Sequence, residues 1–347
     1  MSGGVDSSVV AGLLVEQGHD VIGVHMKLHD QPARPLGEAA DKHCCGLDDA
    51  LDARRVAERL GIPFFVMDLQ EAFRAAVIDD FARTYRAGAT PNPCIQCNGV
   101  LKFRVLLQRA RALGASHLAT GHYARVLPDG GLGVAADLTK DQSYFLFPVT
   151  RDALGATLFP LGEMTKPEVR AHAARLGLVT ADKPESQDVC FIPDDDHARF
   201  VREAGPDDGA GEIVHQDGRV LGAHDGFWRF TIGQRRGLNV ALGEPMYVLG
   251  IDPDTRQVTV GPPESLQHGR LLARAMNWFT YPAPEQILQA RIRHRGRLRP
   301  CTVHRVGDDR AEVRFLEPAR AAARGQAVVI YDGGAVVAGG WIDEVYG

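Results

Sequence analysis

Three groups of residues in this 347-residue chain have the types and spacing to do chemistry. The first is Ser2-Gly3-Gly4-Val5-Asp6-Ser7-Ser8. Its glycines let the backbone take φ > 0 and approach a ligand without a Cβ in the way. Its serines and main-chain amides can donate to phosphate oxygens. Apolar residues at Val5, Val9, Leu13 and at Val10, Leu14 start a helix at once, so unpaired N–H groups and the helix dipole both favour an anion. No lysine is present, which separates the loop from GxxxxGK[ST]. The plain alternative is a glycine turn with a Ser/Asp helix cap. The second group is Cys94 and Cys97, in Thr90-Pro91-Asn92-Pro93-Cys94-Ile95-Gln96-Cys97-Asn98. Two prolines stiffen this stretch and remove two donors. A CxxC at a helix start favours the thiolate and suits a nucleophile. It could also be half of a zinc site, although no second CxxC exists to complete one, or part of an iron–sulfur site completed by Cys190. Cys190, alone before Phe191, reads locally as a small buried hydrophobe. The third group is Arg291, Arg293, Arg295, Arg297 and Arg299, one arginine at every second position around His294. In a strand all five would share a face, fit either for phosphate contacts or for solvent.

The elements that must position these residues follow an α/β pattern. Asp20–Met26 and Pro63–Asp68 read as buried strands, with Ser116–Thr120 as a third. Between them lie helices over 47–60, over 70–86, and after a loop at 87–98. The alternation predicts a doubly wound parallel sheet, with ligands at the carboxyl ends of its strands. Gly121 and an exposed His122 sit at one such end, where the glycine admits a nucleotide and the histidine can hydrogen-bond it. Met26 ends another strand, where it is either core or an adenine contact. Lys140-Asp141-Gln142 reads as a solvated turn before the apolar run Tyr144–Phe147. Thr165-Lys166-Pro167-Glu168 fits a capping box. A loop like Ser2–Ser8 is expected to follow a buried strand, and only Met1 precedes it. Beyond about residue 205, short β-like runs separated by Gly, Pro and Asp predict an all-β architecture.

Composition is that of a globular chain, 45% hydrophobic and 24% charged. The apolar run Val9–Val15 is far too short to span a membrane, and no basic leader pattern is seen. A cytoplasmic protein is expected, and in that compartment six cysteines are not a disulfide scaffold. Net charge is −5, against a globally basic nucleic-acid binder. Residues 271–347 nevertheless hold 11 Arg against 8 Asp and Glu, which leaves −8 on the rest. A basic C-terminal module on an acidic body suits a localised phosphate-binding surface.

The first group resembles the PP-loop (SGGxDS) of adenylating ATP pyrophosphatases, which split ATP between the α and β phosphates. In chain order, TPNPCxxCN, ATGHYAR (119–125), KDQSYFL (140–146), SQDxCF (186–191) and TIGQRRGL (231–238) follow it. Together, over nearly the whole chain, they resemble the bacterial tRNA-specific 2-thiouridylase family. The resemblance implies a PP-loop catalytic domain over 1–204, a small central domain over 205–270 and a C-terminal β-barrel tRNA-binding domain over 271–347. It implies ATP-dependent 2-thiolation of the wobble uridine of Lys, Glu and Gln tRNAs, with AMP and pyrophosphate as products. Cys97 would be the nucleophile and Cys190 the persulfide carrier, with a transient Cys97–Cys190 disulfide. ATP contacts would come from Met1, Ser2, Gly3, Gly4, Val5, Asp6, Ser7, Ser8, Met26 and Gly121, with Asp6 helping to hold Mg²⁺. Asn92, Pro93 and Cys94 would meet the target base. His122, Lys140, Asp141, Gln142, Arg293, His294 and Gln326 would contact base or tRNA. The partners implied are tRNA and a sulfur donor, either a cysteine desulfurase or a relay protein. Relatives with Asp at the Cys94 position and Tyr at the His294 position mark two departures. The first leaves a [4Fe–4S] cluster on Cys94, Cys97 and Cys190 as an alternative mechanism. Another PP-loop enzyme, of the amide-ligase type, would need neither the distant cysteine pair nor the basic β-domain.

Overall fold

The computed structural model describes residues 1–29, 47–184, 189–192, 196–206, 208–240 and 243–347. Cys44, Cys45 and Ser186-Gln187-Asp188 of the SQDxCF motif lie outside the described residues. The chain divides into two units, Met1–Val77 with Gln96–Asp195, and Ile78–Ile95 with Asp196–Gly347.

In the first unit the helix Val5–Glu16 starts directly from the glycine loop. Val5, Val9, Val10 and Leu14 pack with Val56, Tyr123, Leu161 and Val169 in one buried cluster. Gly23–Lys27 and Phe64–Asp68 form a parallel pair in the register Gly23↔Phe64 to Lys27↔Asp68. Met1 lies beside it: its main-chain N–H donates to the Val24 carbonyl, and its carbonyl meets His25 Nδ1 at 3.0 Å. A second parallel pair joins Leu118–Ala119 to Thr157–Leu158. Helix Leu47–Leu60 matches the expected span. Thr165 and Glu168 form the expected capping box at the start of Lys166–Arg175.

Two expectations fail on local geometry. The loop expected over 87–98 ends at residue 92, because Pro93 fills the first helical turn, where a missing N–H costs nothing, and Asn92 Oδ1 accepts from Ile95 N–H at 3.4 Å. The two cysteines are therefore helical, in Pro93–Gln96 and in the wide i→i+5 turns of Cys97–Leu106. The arginine stripe is not one strand. Leu288–Arg291 and Arg299–Val306 are antiparallel neighbours with Ala290 opposite Arg299, and residues 292–298 turn between them. Like charges packed along a strand repel, and Gly296 N–H to Arg293 O at 2.9 Å closes the turn instead.

The second unit is β-rich. Val220–His224, Gly211–His215, Gln257–Gly261 and Tyr247–Asp252 form a four-stranded sheet in that order. Gln267–Trp278 pairs with both Arg310–Arg320 and Ala335–Tyr346, which closes a six-stranded barrel completed by Arg299–Val306, Leu288–Arg291 and Ala327–Asp332. Closure removes exposed sheet edges. Leu271, Val313, Val328, Ile330 and Ile342 fill the interior with Cys301, whose thiol burial pushes up to about 12. Cys301 is thus an inert core residue. Ile330 is fully buried, so Ile330→Ala is expected to destabilise this unit by about 2–5 kcal/mol. Chemical denaturation followed by a β-sheet signal measures that loss.

Candidate active site

The glycine loop has the backbone that its residue types require. Gly3 has φ +76°, and a Cβ there would stand 2.4 Å from the Asp49 carbonyl oxygen. Gly4 is the N-cap, in extended conformation. Ser8 Oγ donates to Gly4 O at 2.9 Å and Ser7 Oγ to the same oxygen at 3.2 Å, while Ser2 N–H donates to Ser7 Oγ at 3.0 Å. Gly121 comes up against the loop. A Cβ at that position would lie 3.0 Å from the Asp6 carbonyl carbon and the Ser7 nitrogen. The predicted loop residues and Gly121 are therefore brought together, and Met26 is half-buried at the end of its strand.

The structure adds cations that the sequence reading missed. Lys166 Nζ contacts both carboxylate oxygens of Asp6, at 2.7 and 2.9 Å, and Tyr123 Oη donates to Asp6 Oδ1 at 2.9 Å. Lys166 is 8% exposed and lies 5.7 Å from the Tyr123 ring centroid. Lys183 bridges Asp49, whose main chain packs on Gly3, at 2.8 Å and Asp52 at 2.7 Å. Burial opposes the Lys183 charge, but the two carboxylates outweigh it and hold its pKa above the ordinary lysine value. The capping box marked the helix start at Thr165, which was the available signal for Lys166. Its ion pair spans 160 residues of sequence and left no local trace.

These residues fit a nucleotide triphosphate. Amides, hydroxyls and one lysine converge on a glycine cradle that side chains would fill. They also fit Mg²⁺, which uses one or two carboxylates together with phosphate oxygens, and Asp6 supplies one such carboxylate. Among the described residues no group of three or more His, Cys, Asp or Glu is arranged to hold a metal ion by itself.

Cys97 and Cys190 belong to the same unit as the glycine loop. Cys97 is half-buried, Cys190 is half-buried, and neither is in a disulfide. Phe191, next to Cys190, stands edge-on to Phe73 with centroids 5.7 Å apart. The depressed thiol pKa expected from a helix start is not found at Cys97. Burial pushes this thiol up, and the Lys102 ammonium opposes that rise without cancelling it. Cys97 lies past the first turn, so it gains little from the helix N-terminus. Asn98 anchors the same helix through Nδ2 to the Phe145 carbonyl at 3.3 Å.

His122 is buried, not exposed as expected. It packs beside Phe103 and Phe159. Lys102 Nζ lies 3.3 Å from its Nε2, and Thr120 Oγ1 lies 2.9 Å from its Nδ1. An ammonium can only donate, so Nε2 accepts and the Nδ1–H donates to Thr120. Burial, reinforced by the Lys102 charge, holds the imidazole well below its usual range and therefore neutral. Asp141 is also buried rather than in a solvated turn. It accepts from Ser143 Oγ at 2.8 Å and from the Ala135 and Ser143 amides at 3.2 Å. Gln142 Oε1 accepts from the Tyr123 amide at 3.0 Å, and Lys140 is half-buried.

In the second unit, Cys94 is exposed, and Gln326 Nε2 donates to the carbonyls of Pro91 and Thr90 at 2.9 and 3.3 Å. The Arg293 guanidinium donates to Ile232 O at 3.0 Å and Ala321 O at 2.9 Å, beside the half-buried His294.

Comparison with known proteins agrees with both halves of this description. Residues 1–194 match a model described as tRNA methyl transferase HUP domain, 198–262 the tRNA methyl transferase PRC-barrel domain, and 268–342 an aminomethyltransferase beta-barrel domain. Two relatives named tRNA-specific 2-thiouridylase MnmA, from Geotalea uraniireducens and Geobacter metallireducens, are each 52% identical. They cover 99% of this chain and 94% and 95% of their own lengths. A third of that name, from Syntrophotalea carbinolica, is 50% identical over 99% of this chain and 97% of its own. A glycine loop opening a helix, two cysteines far apart in the sequence and this degree of identity along the whole chain give one conclusion: the chain belongs to the tRNA-specific 2-thiouridylase family.

Proposed function

We propose that this chain 2-thiolates the wobble uridine of Lys, Glu and Gln tRNAs at the expense of ATP, with Cys97 as nucleophile and Cys190 as persulfide carrier. The observation that supports the reading is one unit holding both a glycine cradle gripped by the Lys166–Asp6 pair and a half-buried Cys97 beside Lys102.

A uridine C2 oxygen is a poor leaving group. Its attack on the α phosphate forms an O–P bond, breaks the α–β bridge and expels pyrophosphate. Loop amides, Ser2, Ser7 and Ser8 bind that pyrophosphate. Lys166 supplies positive charge where negative charge accumulates. Bound Mg²⁺ would neutralise phosphate charge, with Asp6 as its protein ligand. Met26 and Gly121 accommodate the adenine nucleotide, and Asn92, Pro93 and Cys94 receive the extruded base, whose unstacking costs a few kcal/mol. A sulfur donor, a cysteine desulfurase or relay protein, loads Cys190 with a terminal sulfur. That sulfur attacks C2 and AMP departs with the original oxygen. The Cys97 thiolate then attacks the Cys190 sulfur. The Cys190–sulfur bond breaks, the base leaves as 2-thiouridine, and a Cys97–Cys190 disulfide remains. An external thiol reductant restores both thiols. Arg293 and His294, on the turn that joins two barrel strands, contact the tRNA, with His294 stacking in place of a tyrosine.

Three outcomes follow. Cys97→Ser and Cys190→Ser each abolish 2-thiouridine formation, read by nucleoside mass spectrometry with ATP–Mg²⁺ and a persulfide donor, but spare tRNA-dependent ATP–pyrophosphate exchange. Full activity of Cys190→Ser removes it as carrier. Lys166→Met lowers that exchange by about 10²-fold or more, on the scale of deleting one preorganised donor to a developing charge; an unchanged exchange rate excludes Lys166 from adenylation. Removing the Lys102 charge leaves burial unopposed at Cys97 and raises its thiol pKa further. Lys102→Met therefore slows Cys97 alkylation by iodoacetamide at pH 8 and shifts its pH profile upward, and a downward shift is incompatible with this electrostatic role.

A further inference from the structure

The turn that delivers the cysteines is short of hydrogen-bond donors. Pro91 and Pro93 contribute no N–H, and Pro91 is buried, so the carbonyls of Thr90 and Pro91 need partners from elsewhere. The barrel supplies them within the same unit. Gln326 Nε2 donates to Pro91 O at 2.9 Å and to Thr90 O at 3.3 Å. Gln326 Oε1 lies 3.5 Å from Asn92 Nδ2, and Asn92 Oδ1 caps Ile95 N–H in the helix turn that bears Cys94. Thr90 N–H donates to Arg324 O at 2.7 Å. Gly325 has φ +83°, and a Cβ there would stand 2.8 Å from Thr90 O, so the two backbones touch. The barrel side is itself fixed: Gly325 N–H donates to Ile342 O at 3.0 Å, and Ile342 N–H to Gln326 O at 2.7 Å.

We propose that Gln326 is a positioning residue for the cysteine-bearing turn. Its side-chain amide fixes 90–92 to the barrel, and through Asn92 it sets the start of the helix that carries Cys94 and runs on into Cys97. The resemblance places Gln326 among tRNA contacts, whereas this geometry gives it work before any tRNA arrives. Its effect on catalysis rests on the reading that Cys97 is the thiolating nucleophile; its effect on the turn does not.

The test uses the full chain with two substitutions. Gln326→Glu keeps the size and the acceptor facing Asn92 but loses both donors. Gln326→Ala removes the whole contact. Without tRNA, hydrogen exchange at the Ile95 amide is expected to rise about tenfold or more in both variants, while exchange in barrel strand Ala327–Asp332 stays as in the parent. With tRNA, kcat for thiolation falls in both while the tRNA Kd moves less than twofold. Unchanged exchange at Ile95 together with a weakened tRNA Kd would make Gln326 a plain tRNA contact and overturn the proposal. Faster exchange in 327–332 as well would reduce it to a general stabiliser of the barrel and overturn it equally. If the parent chain forms no 2-thiouridine, the proposed function fails, while the exchange readout still decides the role of Gln326.

Discussion

The Asp6–Lys166 ion pair is the interaction that ties the glycine loop into the first unit. It joins the first turn of one helix to the first residue of another, 160 positions along the chain. A half-buried carboxylate and a buried ammonium are each costly alone, and removing one partner from such a pair typically costs about 3–5 kcal/mol. The pair is therefore held by its surroundings: Tyr123 donates to the carboxylate, and the Lys166 amide donates to Asp137 at 3.3 Å. The same arrangement suits function. In the proposed reaction, anionic phosphate entering the cradle would meet a lysine already desolvated and aimed, so little reorganisation would be left for the moment of reaction.

A second constraint acts at Cys97. In an α-helix a residue five positions on lies about 140° round the axis. The i→i+5 turns of Cys97–Leu106 widen the helix and close a turn between residues five apart. Lys102 is thereby carried toward the Cys97 face, from which it opposes the rise in the thiol pKa, while its Nζ is tethered to neutral His122. His122 thus holds Lys102 in the structure as it stands.

Local signals were legible in the sequence where one stretch of chain decides its own structure. The glycine loop, helix Leu47–Leu60, the Thr165–Glu168 box and most of the later strands belong to this class. What escaped depends on partners far along the chain. Lys166 stood in the sequence only as part of the capping box and Lys183 carried no signal, because the carboxylates they meet lie more than a hundred positions away. Asp141 read as solvated, since nothing in Lys140-Asp141-Gln142 says that three donors would enclose it. The arginine repeat misled for the opposite reason: a period of two is a strand signal, but mutual repulsion and Gly296 made a turn cheaper. The helical start at Pro93 was legible in principle, since Asn-Pro is an N-cap followed by a favoured first residue.

Under the proposed role of Cys97 as nucleophile, its raised thiol pKa looks at first like a defect. For thiol–disulfide exchange, however, nucleophilicity rises with pKa, with a Brønsted slope of about 0.4–0.5. Burial thus trades abundance of thiolate for reactivity of each thiolate formed. A scarce thiolate also reacts slowly with adventitious oxidants, which attack according to thiolate character and exposure. Lys102 opposes that rise in pKa without cancelling it, and the half-buried setting restricts what can reach the sulfur. Cys301, buried in the barrel with its thiol pushed up to about 12, shows where burial leads by itself. Burial raises both thiols, and at Cys97 the Lys102 charge, carried to that face by the wide helical turn, opposes the rise.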